Sequence, residues 1–156
     1  MTRSDLQEAL QHSNVRAFLH AIRLGEGTAD ELGYNRIVGG SIFTDDSKHP
    51  RVKVYIQKYD VHSTAAGAYQ IIWPTWSGLV KQYGFTDFSP ESQDEAAVAL
   101  IAEKKALEDV KAGRLADAVE KVAQVWASLP GSTAGQRTES YAAVEQEYLD
   151  HGGTLA

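Results

Sequence analysis

The chain contains no cysteine, which excludes disulfides, thiolate metal sites and cysteine nucleophiles and fits synthesis in a reducing compartment. Long apolar runs are also missing. The longest charge-free stretch, residues 61–80, holds Ser, Thr, Gln, Gly and Pro74 and is too polar to cross a bilayer, so no membrane insertion is expected. The first residues, Met1-Thr2-Arg3-Ser4-Asp5-Leu6-Gln7-Glu8, carry no apolar core of signal-peptide length, and a role outside the compartment of synthesis is expected to need another export route. Cations are outnumbered, 15 Lys and Arg against 21 Asp and Glu for a formal charge of −6. That balance argues against a nucleic-acid partner, because phosphate binding requires clustered basic groups. The five histidines, at 12, 20, 49, 62 and 151, never adopt an H-E-x-x-H or comparable ligand spacing, so neither a metal nor another cofactor is expected. A G-x-S-x-G nucleophile elbow is absent as well.

What is present fits one domain. A chain of 156 residues with 43% hydrophobic composition can bury roughly 70% of its unfolded surface, and it shows no repeat, linker or low-complexity tract. The expectation is a single domain over residues 1–156, monomeric, with residues 1–12 as a flexible N-terminal extension. Val15, Phe18, Leu19 and Ile22 recur at helical spacing, with Ser13 or Asn14 as cap and Gly25 as stop. Two apolar runs split by Gly39-Gly40 predict a small hairpin over residues 35–44, and the alternation of Val52, Val54 and Ile56 predicts a third strand. Helical patterns return over residues 65–73, from Pro74 to Tyr83, from Ser89-Pro90 to about Val110, around Leu115 to Trp126, and from Tyr141 to Tyr148. The fold class read from these elements is α+β, dominated by α.

Three clusters could carry chemistry. Glu26 stands between two glycines at the end of the first amphipathic helix, where the negative end of the helix dipole disfavours its ionised form. The dipole contributes about 0.3–1 kcal/mol, so a general acid at neutral pH would also need burial. Taken on residues alone, Glu26 reads equally as a solvated helix-end carboxylate. Ser63-Thr64-Ala65-Ala66-Gly67-Ala68-Tyr69-Gln70 offers hydroxyls, an aromatic and an amide that can bind sugar hydroxyls, or else a helix cap followed by core packing of Tyr69. Asp45 and Asp46, in a turn bracketed by Thr44 and Ser47, offer a secondary carboxylate or simply local backbone caps.

Read together, these segments resemble the lambda endolysin family of lysozyme-like lytic transglycosylases. The likeness rests on Gly25-Glu26-Gly27-Thr28, on Gly33-Tyr34 with Ile37-Val38-Gly39-Gly40, and on Phe43-Thr44-Asp45-x-Ser47-x-His49-Pro50-Arg51. It continues through Ser63 to Gln70, Asp87-Phe88-Ser89-Pro90, Trp126-Ala127-Ser128-Leu129-Pro130-Gly131 and Gly152-Gly153-Thr154. The resemblance implies a lysozyme-like domain with a small β-element and a substrate groove, flanked by mobile lips at about residues 55–63 and 130–140. It implies that Glu26 is the catalytic acid and base and that Tyr34, Ser63, Thr64, Gly67, Tyr69, Gln70 and Gln136 bind substrate. This chain departs from the family pattern in having Ala134 where an aromatic precedes Gly135-Gln136, and Leu24 in place of a tryptophan before the glutamate motif.

The implied substrate is the peptidoglycan glycan strand, cut between N-acetylmuramic acid and N-acetylglucosamine with formation of a 1,6-anhydro sugar and lysis of the host cell. A phage protein of this kind is made in the host cytoplasm and reaches the periplasmic wall through a holin. The acidic net charge means that the polymer must be held mainly by hydrogen bonds and aromatic stacking, for which three Trp and seven Tyr are available. Two rival readings stand beside it: a hydrolytic lysozyme in which Asp45 or Asp46 positions a water, and a non-catalytic glycan-binding or tail protein.

Overall fold

The computed structural model describes residues 1–131 and 138–156. Helices α1 (Arg3–Ala9) and α2 (Ser13–Glu26) are followed by a two-stranded antiparallel hairpin, β1 (Val54–Ile56) and β2 (Val61–Ser63). Then come α3 (Trp73–Tyr83), α4 (Pro90–Glu103), α5 (Leu107–Ala112), α6 (Leu115–Val122) and α7 (Tyr141–Asp150). The architecture is α+β and mainly helical, as the patterning implies.

Helix α4 is the centre. Every residue from Glu95 to Ile101 is buried, so this helix is covered on all sides rather than along one stripe. Its start follows the cap-then-proline rule: Ser89 Oγ accepts from Ser92 N at 3.3 Å and Pro90 occupies the first turn. It ends earlier than its apolar pattern implies. Lys105 takes a left-handed φ of 60° and Ala106 N returns to Ile101 O at 3.1 Å, after which α5 begins. Helix α2 lays Val15, Phe18, Leu19 and Ile22 into the same core, and its N-cap is His12, whose Nδ1 accepts from Asn14 N, rather than Ser13 or Asn14.

The first twelve residues are not a loose extension. Thr2 and Asp5 exchange side-chain and backbone hydrogen bonds in a capping box that fixes the start of α1. Leu6 is fully buried, and Arg3 and Gln7 both reach the buried Glu95 of α4.

Two β expectations change. Residues 35–44 do not form a strand pair; only Arg36 and Ile42 make an isolated bridge, because Gly39 and Gly40 take φ of 91° and 104° and close the chain into a tight loop. The strand predicted at Val54 and Ile56 exists, but its partner is β2, with Val54 opposite Ser63 and Ile56 opposite Val61.

Of residues 65–73, predicted as helix, 65–72 form a compact turn instead and Trp73 begins α3. Ala66 bridges both Ile37 and Ile71, and Gly67 N donates to Arg36 O at 2.7 Å. Gly67 has φ of 84°, and a Cβ there would collide with the buried Gln93 amide. Gln93 takes Ala68 N on its Oε1 and donates to Tyr34 O and Phe88 O. Long-range hydrogen bonding therefore overrides the local preference of a small-residue run.

Since Leu6 fixes α1 to α4, Leu6→Ala is expected to lower the free energy of unfolding by about 2–5 kcal/mol. Urea denaturation followed by circular dichroism measures it, and a change below about 0.5 kcal/mol would show that α1 contributes nothing to the folded unit.

Candidate active site

Glu26 is the last residue of α2, and Gly27 stops the helix in the left-handed conformation with φ of 73°. The chain turns back sharply there. Arg23, buried inside the turn, donates through Nε and Nη2 to Thr28 O at 3.0 and 2.8 Å and through Nη2 to Asp30 O at 3.0 Å. Its guanidinium also lies 4.6 Å from the centre of the Tyr34 ring. Thr28 closes the arrangement by donating its hydroxyl to Ala68 O. The turn that carries Glu26 is thus tied to its own helix and to residues 65–70.

The other wall comes from residues 125–128. Trp126 is buried and donates its indole N–H to Tyr69 O at 3.0 Å, which places Ser128 against the end of α2. A Cβ on Gly25 would stand 2.5 Å from Ser128 Oγ, so the close approach requires glycine at this position. Between these walls and the β1–β2 hairpin lies a groove of about 610 Å³. Glu26 lines it together with Val38, Tyr59, His62, Ser63, Gln70 and Ser128.

Burial pushes the Glu26 carboxyl up from about 4.5 to about 7, and the nearby Ser128 hydroxyl draws it partly back. No charged side chain contributes to this shift among the described residues. The Ser128 hydroxyl is buried and meets no partner within hydrogen-bond geometry. It nevertheless faces the carboxyl closely enough to favour the charged form, so it stands ready to donate when Glu26 ionises. A carboxyl poised at neutral pH can give a proton and take one back, which is the requirement for one residue to act as acid and then base.

The remaining predicted residues separate into groups. Ser63 and Gln70 lie in the groove with Glu26. Gln70 holds a left-handed φ of 49°, and its Nε2 donates to Gly67 O and Arg36 O, which leaves its amide oxygen to accept from a ligand. Thr64 instead receives Trp73 N on its Oγ1 at 2.8 Å and caps α3. Gly67 is buried turn backbone.

Neither Tyr34 nor Tyr69 lines the groove that holds Glu26. Both hydroxyls donate to Asp94 Oδ1, at 2.8 and 2.6 Å, and the two rings face a separate cavity of about 160 Å³. Tyr69 is 2% exposed and serves the site through its backbone carbonyl. Asp45 and Asp46 are exposed and do not line the groove either. Asp45 Oδ1 receives Ser47 N and Oγ, which holds its carboxyl below the ordinary range, and Asp46 O receives Phe88 N. The Asp45 carboxylate shapes a local turn, and Asp46 takes part through its backbone carbonyl. Gln136 and Ala134 lie outside the described residues.

Tyr59, His62, Val38 and Ser128 line the groove and were not singled out from the sequence. Of these, Ser128 and Val38 sat inside recognisable motifs, Trp126-Ala127-Ser128-Leu129-Pro130-Gly131 and Ile37-Val38-Gly39-Gly40.

A mainly helical domain with a small hairpin beside a groove and one protonatable glutamate at a helix end defines a lysozyme-like enzyme. Residues 16–155 match the family model described as Endolysin. The chain is 39% identical to the endolysin of Escherichia phage P2, covering 93% of this chain and 96% of that one. It is 38% identical to the endolysin of Escherichia phage lambda, covering 90% and 92% respectively. Among solved structures, bacteriophage lambda lysozyme complexed with a chitohexasaccharide superposes with a TM-score of 0.87 at 36% identity, over 92% of this chain and 97% of that one. A second structure of lysozyme from bacteriophage lambda gives 0.81 at 35% identity, with the same coverage. The chain belongs to the endolysin family.

The raised carboxyl has a cost in stability with a defined sign. Between about pH 4.5 and 7 the folded chain holds the Glu26 proton that the unfolded chain has lost, so stability falls as pH rises through that window. Glu26→Gln, neutral at every pH, is expected to unfold at a higher temperature than the parent at about pH 8, by on the order of 2–3 kcal/mol, and to match it at about pH 4. Calorimetric melting of both proteins at the two pH values checks this, and equal differences at both would mean that Glu26 is not desolvated.

Proposed function

We propose that this endolysin is a lytic transglycosylase of peptidoglycan and that Glu26 is its catalytic residue. The observation that carries this reading is a groove lined by a single carboxyl among the described residues, held near 7 by burial. Most glycosidases place two carboxyls across the scissile bond, one as acid and one as base or nucleophile. Here Asp45 and Asp46 are exposed and do not line the groove, and the Asp45 carboxylate is engaged in a local turn, which weakens a hydrolytic mechanism that depends on them.

In the proposed reaction, protonated Glu26 donates to the glycosidic oxygen leaving C1 of the muramic acid unit. The bond breaks through an oxocarbenium-like state, which the sugar's own N-acetyl oxygen stabilises. Glu26, now a carboxylate and favoured by the Ser128 hydroxyl, removes the proton from the C6 hydroxyl of the same sugar. That oxygen closes on C1, giving a 1,6-anhydro end and returning Glu26 to its acid form without water. Gln70 and Ser63 offer hydrogen bonds to sugar hydroxyls, and the partly exposed Tyr59 offers an aromatic face for stacking. The lambda relative's complex with a chitohexasaccharide supports a β-1,4-linked sugar polymer as the occupant.

Among the described residues no helix is long and apolar enough to cross a membrane. The proposal therefore includes release to the wall through a separate holin pore, with the enzyme acting as a monomer.

Mass analysis of digested sacculi tests the chemistry. Anhydro-muropeptides are expected, and reducing ends alone would assign the protein to the hydrolytic lysozymes. Glu26→Gln is expected to reduce lysis of permeabilised Gram-negative cells by at least about a thousandfold; lysis at the parent rate would show that Glu26 is not the catalyst. Ser128→Ala should raise the Glu26 pKa further and move the alkaline limb of the rate profile to higher pH. A pH–rate profile on purified sacculi reads that shift, and an unmoved limb would mean that the hydroxyl does not act on Glu26.

A further inference from the structure

The groove shares the wall formed by His62, Ser63 and Ile72 with a second depression, of about 340 Å³, on the other side of β2. That depression contains Arg51, Lys53 and Trp73, none of which takes part in the mechanism above. Resting on the peptidoglycan reading of the groove, we propose that this depression binds the carboxylates of the peptide stems that branch from the glycan strand.

Charge comes first. The chain carries −6 overall, yet residues 48–63 contain four cations, Lys48, Arg51, Lys53 and Lys58, against the single anion Asp60. A protein this acidic repels an anionic polymer except where its charge is locally reversed, and the reversal falls on the strand and turn beside the groove.

Availability comes second. Arg36, Arg114 and Lys121 are all engaged by carboxylates, whereas neither Arg51 nor Lys53 has an acidic partner among the described residues. Both are exposed. Arg51 is nonetheless held in place. Its guanidinium lies 4.5 Å from the centre of the Trp73 ring, its backbone has a left-handed φ of 51°, and its N–H donates to His49 Nδ1 at 2.9 Å. His49 is itself buried and bonded through Nε2 to Ile71 O at 2.8 Å. A guanidinium stacked on an indole keeps its N–H edges available and loses little freedom when a carboxylate docks on them.

Reach comes third. The wall that a stem must cross from a glycan in the groove is about one strand wide, roughly 5 Å. A stem of three or four residues extends about 10–14 Å, enough to cross that wall and place its free carboxylates in the depression.

The test compares two soluble substrates, glycan strands bearing their peptide stems and the same strands after amidase digestion. The digested strands keep the lactyl carboxylate on the sugar and lose the stem carboxylates. Lys53→Glu and Arg51→Gln are each expected to lower kcat/KM on stem-bearing strands by about three- to tenfold, an effect that shrinks as salt is raised. On amidase-treated strands each should stay within about twofold of the parent, since neither residue touches the groove. Lys53 is exposed and has no side-chain hydrogen bond or ion pair among the described residues, and it keeps the test valid if Arg51→Gln disturbs Trp73. Equal losses on both substrates, or no loss on either, would overturn the inference while leaving the glycan reading intact. A parent that cuts neither substrate would overturn the glycan reading and this inference with it.

Discussion

The constraint on which the site depends is the removal of one carboxyl from water at the carbonyl end of a helix. Such a position is unfavourable twice over, since the helix dipole and the loss of hydration both oppose the charge. Glu26 stays there because the surrounding chain leaves it no alternative. Gly27 turns the backbone away, Arg23 locks the turn through Thr28 O and Asp30 O, and Gly25 admits residues 125–128 against the helix end. The destabilisation is local and is offset by a core centred on α4, where seven successive residues from Glu95 to Ile101 are buried.

The polar groups behind the site serve this placement indirectly. Asp94 receives the hydroxyls of Tyr34 and Tyr69, Tyr34 stacks on Arg23, and Tyr69 O holds the Trp126 indole. One half-buried carboxylate thereby links both walls of the groove. Gln93 acts alongside it by joining the turn at Ala68 to Tyr34 O and Phe88 O. These side chains touch no reacting atom, yet the position of Glu26 relative to Ser128 and Gln70 depends on them.

Much of the framework was legible in the sequence, because it rests on local rules. The periodicity of Val15, Phe18, Leu19 and Ile22, the Ser89-Pro90 start, and the glycines ending α3 and α5 all act within one or two turns, whereas α2 runs past Gly25, its expected stop, and ends at Gly27. The errors arose where partners are distant. Residues 65–73 contain three alanines and look helical, but they make long-range hydrogen bonds with Arg36, Val38 and Gln93. The placement of Tyr34 and Tyr69 was hidden for the same reason, since Asp94 lies 60 and 25 residues away. Asp45 is the opposite case: its partner is two residues along, and the turn-cap reading of that segment describes it. Physical reading of Glu26 identified the dipole and the need for burial; the burial itself comes from Ser128 and its neighbours, about a hundred residues along the chain.

The ionisation of Glu26 in the intact protein decides the matter most directly. Carbon-13 NMR of the glutamate carboxyls, with the Glu26 resonance assigned by its loss in Glu26→Gln, follows that single group through a pH titration. A midpoint close to 7 is the result predicted for a desolvated acid–base residue. A midpoint near 4.5, the value of an ordinary solvated glutamate, would contradict the account.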